Sequence, residues 1–301
     1  MPAIIVIGSC NTDMVIKTNH FPSPGETIMG GEFFMFSGGK GANQAVAAAR
    51  MGAAVTLVCK TGDDIFGLRA KQEFIKENID TSYVKTDVSL ASGTALILVD
   101  KKGENEIVVA PGANNSLDVD DVKAIEKQIS ANDIVLLQLE IPIETVLYAA
   151  KKAHANGAKV ILNPAPAQTL PAEIFPLIYL LTPNETEAAL LTGTNVTDEN
   201  SAVKAATELL QKGVQNVIIT LGSKGALFKN KSTQLLIETP KVTAVDTTAA
   251  GDVFNGVLSV ALSEGKDWEE AIAFACKAAA MSVTRMGAQA SMPYRKELEA
   301  F

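Results

Sequence analysis

Short runs of apolar residues recur along the chain, and between them apolar residues repeat at the three- and four-residue spacing of a helix. The runs are continuous rather than alternating, which is typical of strands covered on both faces. Predicted strands span residues 4–7, 55–59, 134–139, 159–162, 178–181 and 217–221. Predicted helices span residues 41–51, 66–77, 144–156, 201–212, 252–264 and 268–284. This alternation predicts an α/β fold, a three-layer α/β/α sandwich around a mainly parallel central sheet.

Two regions depart from this alternation. Residues 14–17 and 27–37 are strand-like with only a turn between them, and residues 94–100 and 106–110 flank a polar hairpin turn. We therefore expect a small β-sheet, formed by about 14–37 and 94–110, that closes over a site as a lid or serves as a dimer surface. Residues 1–301 are expected to form one domain, an α/β core with this lid.

Composition and charge limit the classes of function. The chain is 47% apolar and 20% charged, which is ordinary for a globular protein, and its net charge of −8 is unfavourable for a nucleic-acid-binding surface. No apolar run reaches the length of a membrane span. The first basic residue is Lys17, so we expect no secretion signal, and the widely spaced Cys10, Cys59 and Cys276 indicate thiols in a reducing compartment. We expect a soluble cytoplasmic protein.

A glycine-rich segment at residues 37–43 (SGGKGAN) is the first candidate site. It is not a Walker A motif, because Phe34 and Gly41 stand where that motif requires Gly and Ser or Thr. Residues 8–11 likewise lack the GxGxxG pattern of a dinucleotide-binding turn. Taken alone, residues 37–43 indicate a tight turn that opens a helix.

The second candidate is residues 246–256 (DTTAAGDVFNG), where small residues lead into a helix that has Asp252 in its first turn. Backbone amides at such a helix start can hold a developing phosphate oxyanion. Asp252 could orient and accept a hydroxyl proton in phosphoryl transfer, or it could simply cap the helix. The residues alone leave both interpretations open.

Two further loops follow predicted strands. In residues 182–187 (TPNETE), Asn184 and Glu187 lie one helical turn apart, so they could face one ligand or cap a helix, and taken alone the cap is favoured. Residues 220–225 (TLGSKG) form a glycine-rich loop beyond a strand end, where ligands bind in open α/β sheets.

The order and local residues of these segments resemble the phosphofructokinase-B-type (PfkB) carbohydrate kinase family. The resemblance covers nearly the whole chain, from residue 5 to about residue 295. The matching segments are 11–13 (NTD), 38–45 (GGKGANQA), 163–167 (NPAPA), the Asn-x-x-Glu motif at Asn184 and Glu187, 246–256, and 284–289 (TRMGAQ).

This resemblance implies a kinase that uses ATP and Mg²⁺ to phosphorylate D-ribose at O5, giving D-ribose 5-phosphate and ADP. Asp252 would take the proton from O5, and the amides of Ala249, Ala250, Gly251 and Asp252 would form the anion hole. The implied sugar-binding residues are Asn11, Thr12, Asp13, Gly39, Lys40, Gly41, Ala42, Asn43, Glu140 and Asp252. Asn184 and Glu187 would position Mg²⁺ and the phosphates. The other residues implied to bind the nucleotide are Thr220, Leu221, Gly222, Ser223, Lys224, Gly225, Gly251, Asp252 and Cys276.

The resemblance also implies a monovalent cation, K⁺, beside the anion hole, and a homodimer paired through the lid. The implied cation ligands are Asp246, Thr248, Ser282, Arg285, Gly287 and Ser291. No nucleic-acid or membrane partner is expected.

Two alternatives stay open. One is a kinase for another small polyol, such as deoxyribose, fructose or a nucleoside, although Asn11 beside Asp13 favours a sugar with vicinal hydroxyls. The other is a sugar-binding regulator without catalysis, which the presence of Asp252 and of the pair Asn184 and Glu187 argues against.

Overall fold

The strands alternate with helices as the hydrophobic pattern predicts. The structure is a computed structural model that describes residues 3–301. Its strands are β1 (Ile4–Ile7), β2 (Asn11–Lys17), β3 (Glu32–Gly38), β4 (Val55–Gly62), β5 (Asp80–Asp87), β6 (Gly93–Val99), β7 (Asn105–Ala110), β8 (Ile134–Leu137), β9 (Lys159–Leu162), β10 (Leu180–Leu181), β11 (Asn216–Thr220), β12 (Ala226–Lys229) and β13 (Gln234–Ile237). Its helices are α1 (Lys40–Arg50), α2 (Ile65–Lys76), α3 (Val119–Lys123), α4 (Ile143–Ala155), α5 (Glu185–Thr192), α6 (Glu199–Gln211), α7 (Ala250–Ser263), α8 (Trp268–Ser282) and α9 (Arg295–Ala300).

The central sheet is mainly parallel, as predicted. Within residues 3–301 it has nine strands in the order β13-β12-β11-β10-β9-β8-β1-β4-β5. The run from β11 to β5 is parallel, whereas β12 and β13 are antiparallel at one edge. The expectation for residues 178–181 was too long, because only Leu180–Leu181 pair as a strand.

Helices cover both faces of this sheet and complete the three layers. Side chains alternate along β1, so Ile4 and Val6 pack in one apolar cluster with α1, α7 and α8, while Ile5 and Ile7 pack in the other with α3, α4 and α6. Cys10, Cys59 and Cys276 are free thiols, and all three are buried. No helix in the described part of the chain is long and apolar enough to cross a membrane.

In the described part of the chain the lid is a separate four-stranded sheet in the order β3-β2-β6-β7. β2 pairs antiparallel with β3 and parallel with β6, and β6 forms the expected hairpin with β7. The predicted strand at 27–37 begins only at Glu32, because Glu32 pairs with Lys17, the last residue of β2. No strand within residues 3–301 pairs with the residues before Glu32.

Candidate active site

Two adjoining clefts lie beside the start of α7. The first has a volume of about 900 Å³ and separates the lid from the core, with Asp13 and Lys17 on the lid side and Asp246 on the core side. The second has a volume of about 540 Å³ and lies on the core. Ala244 and Thr247 line both clefts, so ligands bound in the two would meet next to the first turn of α7.

Asp252, in this first turn, is 5% exposed and is held by two side-chain amides. Asn43 Nδ2 donates to its Oδ2 at 2.9 Å, and Gln44 Nε2 donates to its Oδ1 at 3.0 Å. Burial raises the pKa of Asp252, although Lys40 and the two amides oppose the shift. The cap interpretation of Asp252 is wrong, because its carboxylate accepts from α1 and the N-cap residue of α7 is Ala249.

The amides of Ala249, Gly251 and Asp252 at the start of α7 have no acceptor in the described chain, whereas the Ala250 amide donates to Thr247 O at 3.3 Å. Ala249 has a left-handed backbone (φ 61°), and in the described chain no side chain caps this helix. Asp246 braces the preceding turn: its Oδ1 accepts from the Thr248 amide at 2.9 Å, and its Oδ2 accepts from the Gly287 amide at 2.8 Å. Exposed amides at a helix start suit an anion such as a transferring phosphate.

Charged side chains crowd the space between the two clefts. Burial, together with the charges of Glu140 and Asp252, raises the pKa of Asp13 from its ordinary 3.8 to about 7. Burial opposes the charge of Lys40, but the surrounding carboxylates outweigh it and raise the pKa of this lysine. These carboxylates are Asp252, Glu140, Glu187 and Asp13. The lysine therefore lies where the lid cleft, the candidate base and α5 come together.

Most residues predicted to bind the sugar lie around this lysine. Asn11 and Asn43 are buried, and a Cβ at Gly39, the residue before Lys40, would lie 2.6 Å from Asn11 N. Glu140 Oε2 accepts from the Lys40 amide at 3.0 Å. Thr12 is different, because it alternates with Asp13 along β2 and its side chain points to the opposite face of the lid. Gly41 and Ala42 pack against the end of β1, where the Ala42 amide donates to Ser9 O at 2.8 Å.

The second cleft collects most of the residues predicted for the nucleotide. Its lining includes Asn184, Thr220, Gly222, Ser223, Gly225, Ala250, Gly251 and Cys276. Four predicted residues are not part of this lining: Glu187, Leu221 and Asp252 are buried, and Lys224 Nζ donates to Thr197 O at 3.5 Å. The cleft wall is largely apolar opposite the glycine-rich loop, as a stacked base requires.

Asn184 and Glu187 cap α5 and also face the site. The Asn184 side chain accepts from the Glu187 amide, and Glu187 Oε2 accepts from the Asn184 amide at 2.8 Å, which is a capping box. Burial raises the pKa of Glu187, and Lys40 partly opposes it. Since Lys40 and Asp252 both act on Glu187, the cap also brings this carboxylate to the site.

The predicted cation ligands lie behind the start of α7. Asp246, Thr248 and Gly287 line the lid cleft. Ser282 and Ser291 are buried, and their hydroxyls donate to Ala279 O at 2.9 Å and Ala288 O at 2.8 Å. Arg285 pairs with Glu297 at 2.7 Å. The oxygen atoms of this group are one carboxylate, hydroxyls and backbone carbonyls, which are hard donors that suit a monovalent cation.

Comparison with known proteins identifies the family. Residues 1–295 match the pfkB family carbohydrate kinases. The chain belongs to this family. It is 49% identical over 298 residues to the ribokinase of Haemophilus influenzae, covering 99% of this chain and 97% of that protein. The crystal structure of a ribokinase from Thermotoga maritima is 46% identical with a TM-score of 0.91, covering 100% of this chain and 99% of that one.

A structure of Arabidopsis thaliana ribokinase complexed with ribose and ATP is similar as well. It is 32% identical with a TM-score of 0.91, and the match covers 99% of this chain and 98% of that one. The family and the α/β fold predicted from the sequence are thereby confirmed. The roles of individual residues in this carbohydrate kinase stay predictions.

Three hydrogen-bonding residues of the carbohydrate kinase site were not predicted. Ser9 Oγ donates to Glu140 Oε2 at 2.5 Å, and Asn114 Nδ2 donates to Asn11 Oδ1 at 2.7 Å. Gln44 donates to the candidate base. Ser9 could have been found from its place after a buried strand and Gln44 from its place after Asn43, but nothing local distinguishes Asn114 from other loop residues.

Proposed function

We propose that this protein is an ATP-dependent kinase that transfers the γ-phosphate of ATP to O5 of D-ribose, giving D-ribose 5-phosphate and ADP. The position of Asp252 is the main support. Asp252 follows Gly251, which lines the second cleft, and it lies near enough to Asp13 of the lid cleft to raise the pKa of that residue. A sugar in the lid cleft and a nucleotide in the second cleft would meet at this carboxylate. The relatives named ribokinase support ribose as the sugar.

The sugar site combines acceptors and donors in the way a polyol requires. Carboxylates of Asp13 and Glu140 accept from hydroxyl groups, while Asn11, Asn43 and Lys40 donate to hydroxyl oxygens. Within residues 3–301 the Asp13 carboxylate accepts no hydrogen bond, although this residue is only 9% exposed. Ribose hydroxyls would supply the hydrogen bonds that this buried carboxylate lacks.

In the transfer step, O5 forms a bond to the γ-phosphorus, the bond from that phosphorus to the bridging oxygen breaks, and ADP leaves with that oxygen. The O5 proton moves to the Asp252 carboxylate. Because burial raises the pKa of Asp252, this carboxylate is a stronger base than an exposed aspartate. The amides of residues 249–252 would stabilise the charge on the transferring group.

Two metal ions complete the proposal. Asn184 and Glu187 would hold Mg²⁺ through water, because their side chains are already hydrogen-bonded to each other; the ion supplies charge neutralisation on the phosphates. The oxygen ligands of K⁺ would come from Asp246, Thr248, Ser282, Arg285, Gly287 and Ser291. Asp246 accepts a hydrogen bond from the Thr248 amide, next to the proposed anion hole. An ion bound at Asp246 would therefore help to order the backbone of the anion hole.

We also propose a cytoplasmic homodimer of single-domain subunits, paired through the lid. The lid face opposite the cleft is apolar and exposed: Ile16 is 42%, Phe33 60%, Leu96 56% and Val108 70% exposed. Ile16 lies opposite Phe33, and Leu96 lies opposite Val108, so these side chains form one patch. In light scattering after gel filtration, Leu96→Glu should shift the protein from dimer to monomer, while Lys102→Glu in the exposed hairpin turn should leave the dimer intact.

The deciding experiment is ADP release with ATP and Mg²⁺, measured separately with ribose, 2-deoxyribose, fructose and adenosine. Turnover selective for ribose, lost in Asp252→Asn and retained in the exposed control Asp63→Asn, is the expected result. Lower turnover in NaCl than in KCl would support the cation site. Turnover selective for another sugar would reassign the substrate. No turnover, with ribose still raising the melting temperature, would indicate a sugar-binding protein without catalysis.

A further inference from the structure

The amide of Gln44 determines how the Asp252 carboxylate is oriented. We infer that Gln44 is a positioning residue that anchors Oδ1 of Asp252 and leaves Oδ2 as the atom that takes the sugar proton. This inference rests on the proposed function and adds a residue and an atom to its mechanism.

Gln44 is fully buried and its amide has a single orientation. Gln44 Nε2 donates to Asp252 Oδ1 at 3.0 Å and to Asn163 Oδ1 at 3.0 Å. Gln44 Oε1 accepts from Gln138 Nε2 at 2.6 Å. Rotating the Gln44 amide by 180° would place its oxygen against two acceptor oxygens and its nitrogen against a donor. The hydrogen bond from Gln138 therefore keeps the Gln44 NH₂ group facing the base.

Close packing of α1 on α7 brings the two groups together. A Cβ atom at Gly256 would lie 2.6 Å from Gln44 O and 2.7 Å from the Cβ of Ala47. Only glycine permits this approach, one turn after Asp252 on the same helix. The distance between Gln44 and the base is thus set by helix packing, which is rigid, rather than by a loop.

The two carboxylate oxygens of Asp252 have different surroundings. Oδ1 accepts from Gln44 inside the contact of α1 with α7. Oδ2 accepts from Asn43 Nδ2 at 2.9 Å, and Asn43 Oδ1 is itself buried with no hydrogen-bond partner in the described chain. A sugar hydroxyl that donates to Oδ2 would lie beside this unpaired oxygen. Oδ2 is therefore the oxygen that faces the reacting hydroxyl.

Loss of the Gln44 hydrogen bond should change the acidity of the base in a known direction. A donor to a carboxylate favours its ionised form, so removal of the donor raises the pKa of Asp252 further. The charged groups that face Asp252 are Lys40 from α1, Glu140 after β8, Asp13 from β2 and Glu187 from α5. These groups are unchanged in a Gln44 variant, so a shift of the acid limb reports the lost hydrogen bond.

The test is Gln44→Met, which keeps the length of the side chain and removes the donor. We expect kcat to fall about 10- to 100-fold, because a misplaced base lowers the rate by such factors. KM for ribose should stay within about threefold of the wild-type value, and the acid limb of the pH profile of kcat should move to higher pH. A folded variant with a wild-type acid limb and a kcat within about threefold of wild type would overturn the inference.

Gln138→Met is the second variant, for the case that Gln44→Met does not fold. It keeps Gln44 and removes only the hydrogen bond that orients its amide, so the acid limb should move in the same direction by less. An unmoved limb in this variant would overturn the inference as well. If the wild-type protein phosphorylates no sugar, the proposed function fails. In that case, a ¹³C NMR titration of the Asp252 carboxyl with and without Gln44→Met decides the positioning role, and an unchanged pKa refutes it.

Discussion

We expect the Asp13 carboxylate to lower the stability of the sugar-free protein and to be required for sugar binding. Its carboxylate is buried at the wall of the lid cleft near Glu140 and Asp252, and its pKa is raised to about 7. An ionised carboxylate in such a place is unfavourable until hydroxyl groups of a ligand solvate it. We therefore predict that Asp13→Asn stabilises the sugar-free protein and abolishes sugar binding.

The size and the sign of the effect follow from the raised pKa. In the unfolded chain Asp13 titrates near 3.8, and in the folded protein near 7, so between these values folding retains a proton that unfolding releases. The stability contributed by the protonated Asp13 side chain is therefore fully present below pH 3.8 and is lost as the pH rises through 7. The full difference corresponds to about 4 kcal/mol at 1.36 kcal/mol for each pH unit. Screening by water in the cleft reduces the expected gain to about 2 kcal/mol.

The assay is thermal unfolding from pH 4 to pH 8, with and without ribose. For a chain of 301 residues, about 2 kcal/mol corresponds to a rise in Tm of about 3 °C. Asp13→Asn should exceed wild type by this amount at pH 8 and match it near pH 4, and ribose should raise only the wild-type Tm. The exposed control Asp63→Asn should follow wild type throughout. A lower Tm at pH 8 for Asp13→Asn, or the same pH dependence as wild type, would refute the reasoning.

Three further substitutions test other parts of the structure. Gly225→Ala should raise KM for ATP at least tenfold with little change in KM for ribose, because Gly225 has φ 101° and a Cβ there would lie 1.9 Å from Ile237 O at the nucleotide cleft. Gly256→Ala should lower kcat and reduce stability by about 1–3 kcal/mol, seen by urea unfolding, since the added methyl separates α1 from α7. Arg50→Met breaks a largely buried ion pair and should cost about 3 kcal/mol in the same assay, whereas Lys123→Met at an exposed pair should cost less than about 1 kcal/mol.

The sequence predicts the interior of this fold better than its edges. Strands β1, β8 and β9 are apolar on both faces, so their runs are visible without any knowledge of the neighbours. β5 (DTSYVKTD) is a polar strand at the sheet edge, and its apolar residues are too few to distinguish it from a loop. The hairpin of β12 and β13 was missed for a related reason, since a short edge strand depends on its partner for its conformation.

The candidate site divides in the same way. Residues within compact motifs, such as Lys40 and Asp252, could be found because the residues next to them in the sequence form a recognisable pattern. The polar network around the base could not, because its hydrogen bonds join residues far apart in the chain. Gln44 lies 208 positions from Asp252 and 94 positions from Gln138. Such pairs become visible only once the crossovers of the sheet bring α1, α7 and β8 to the same edge.

The structural and functional interpretations of the Asn-x-x-Glu segment turn out to be compatible. Asn184 and Glu187 close a capping box, so the carboxylate of Glu187 is fixed in one rotamer by the helix that it caps. A fixed carboxylate costs less conformational entropy when it meets a ligand than a free one does. At Asp252 the capping role is absent, and within residues 3–301 the amides of Ala249, Gly251 and Asp252 have no acceptor, so they stay open to an anion. The two helix ends thus contribute to the candidate site of this carbohydrate kinase in different ways: the start of α5 orients a side chain, and the start of α7 leaves backbone donors free.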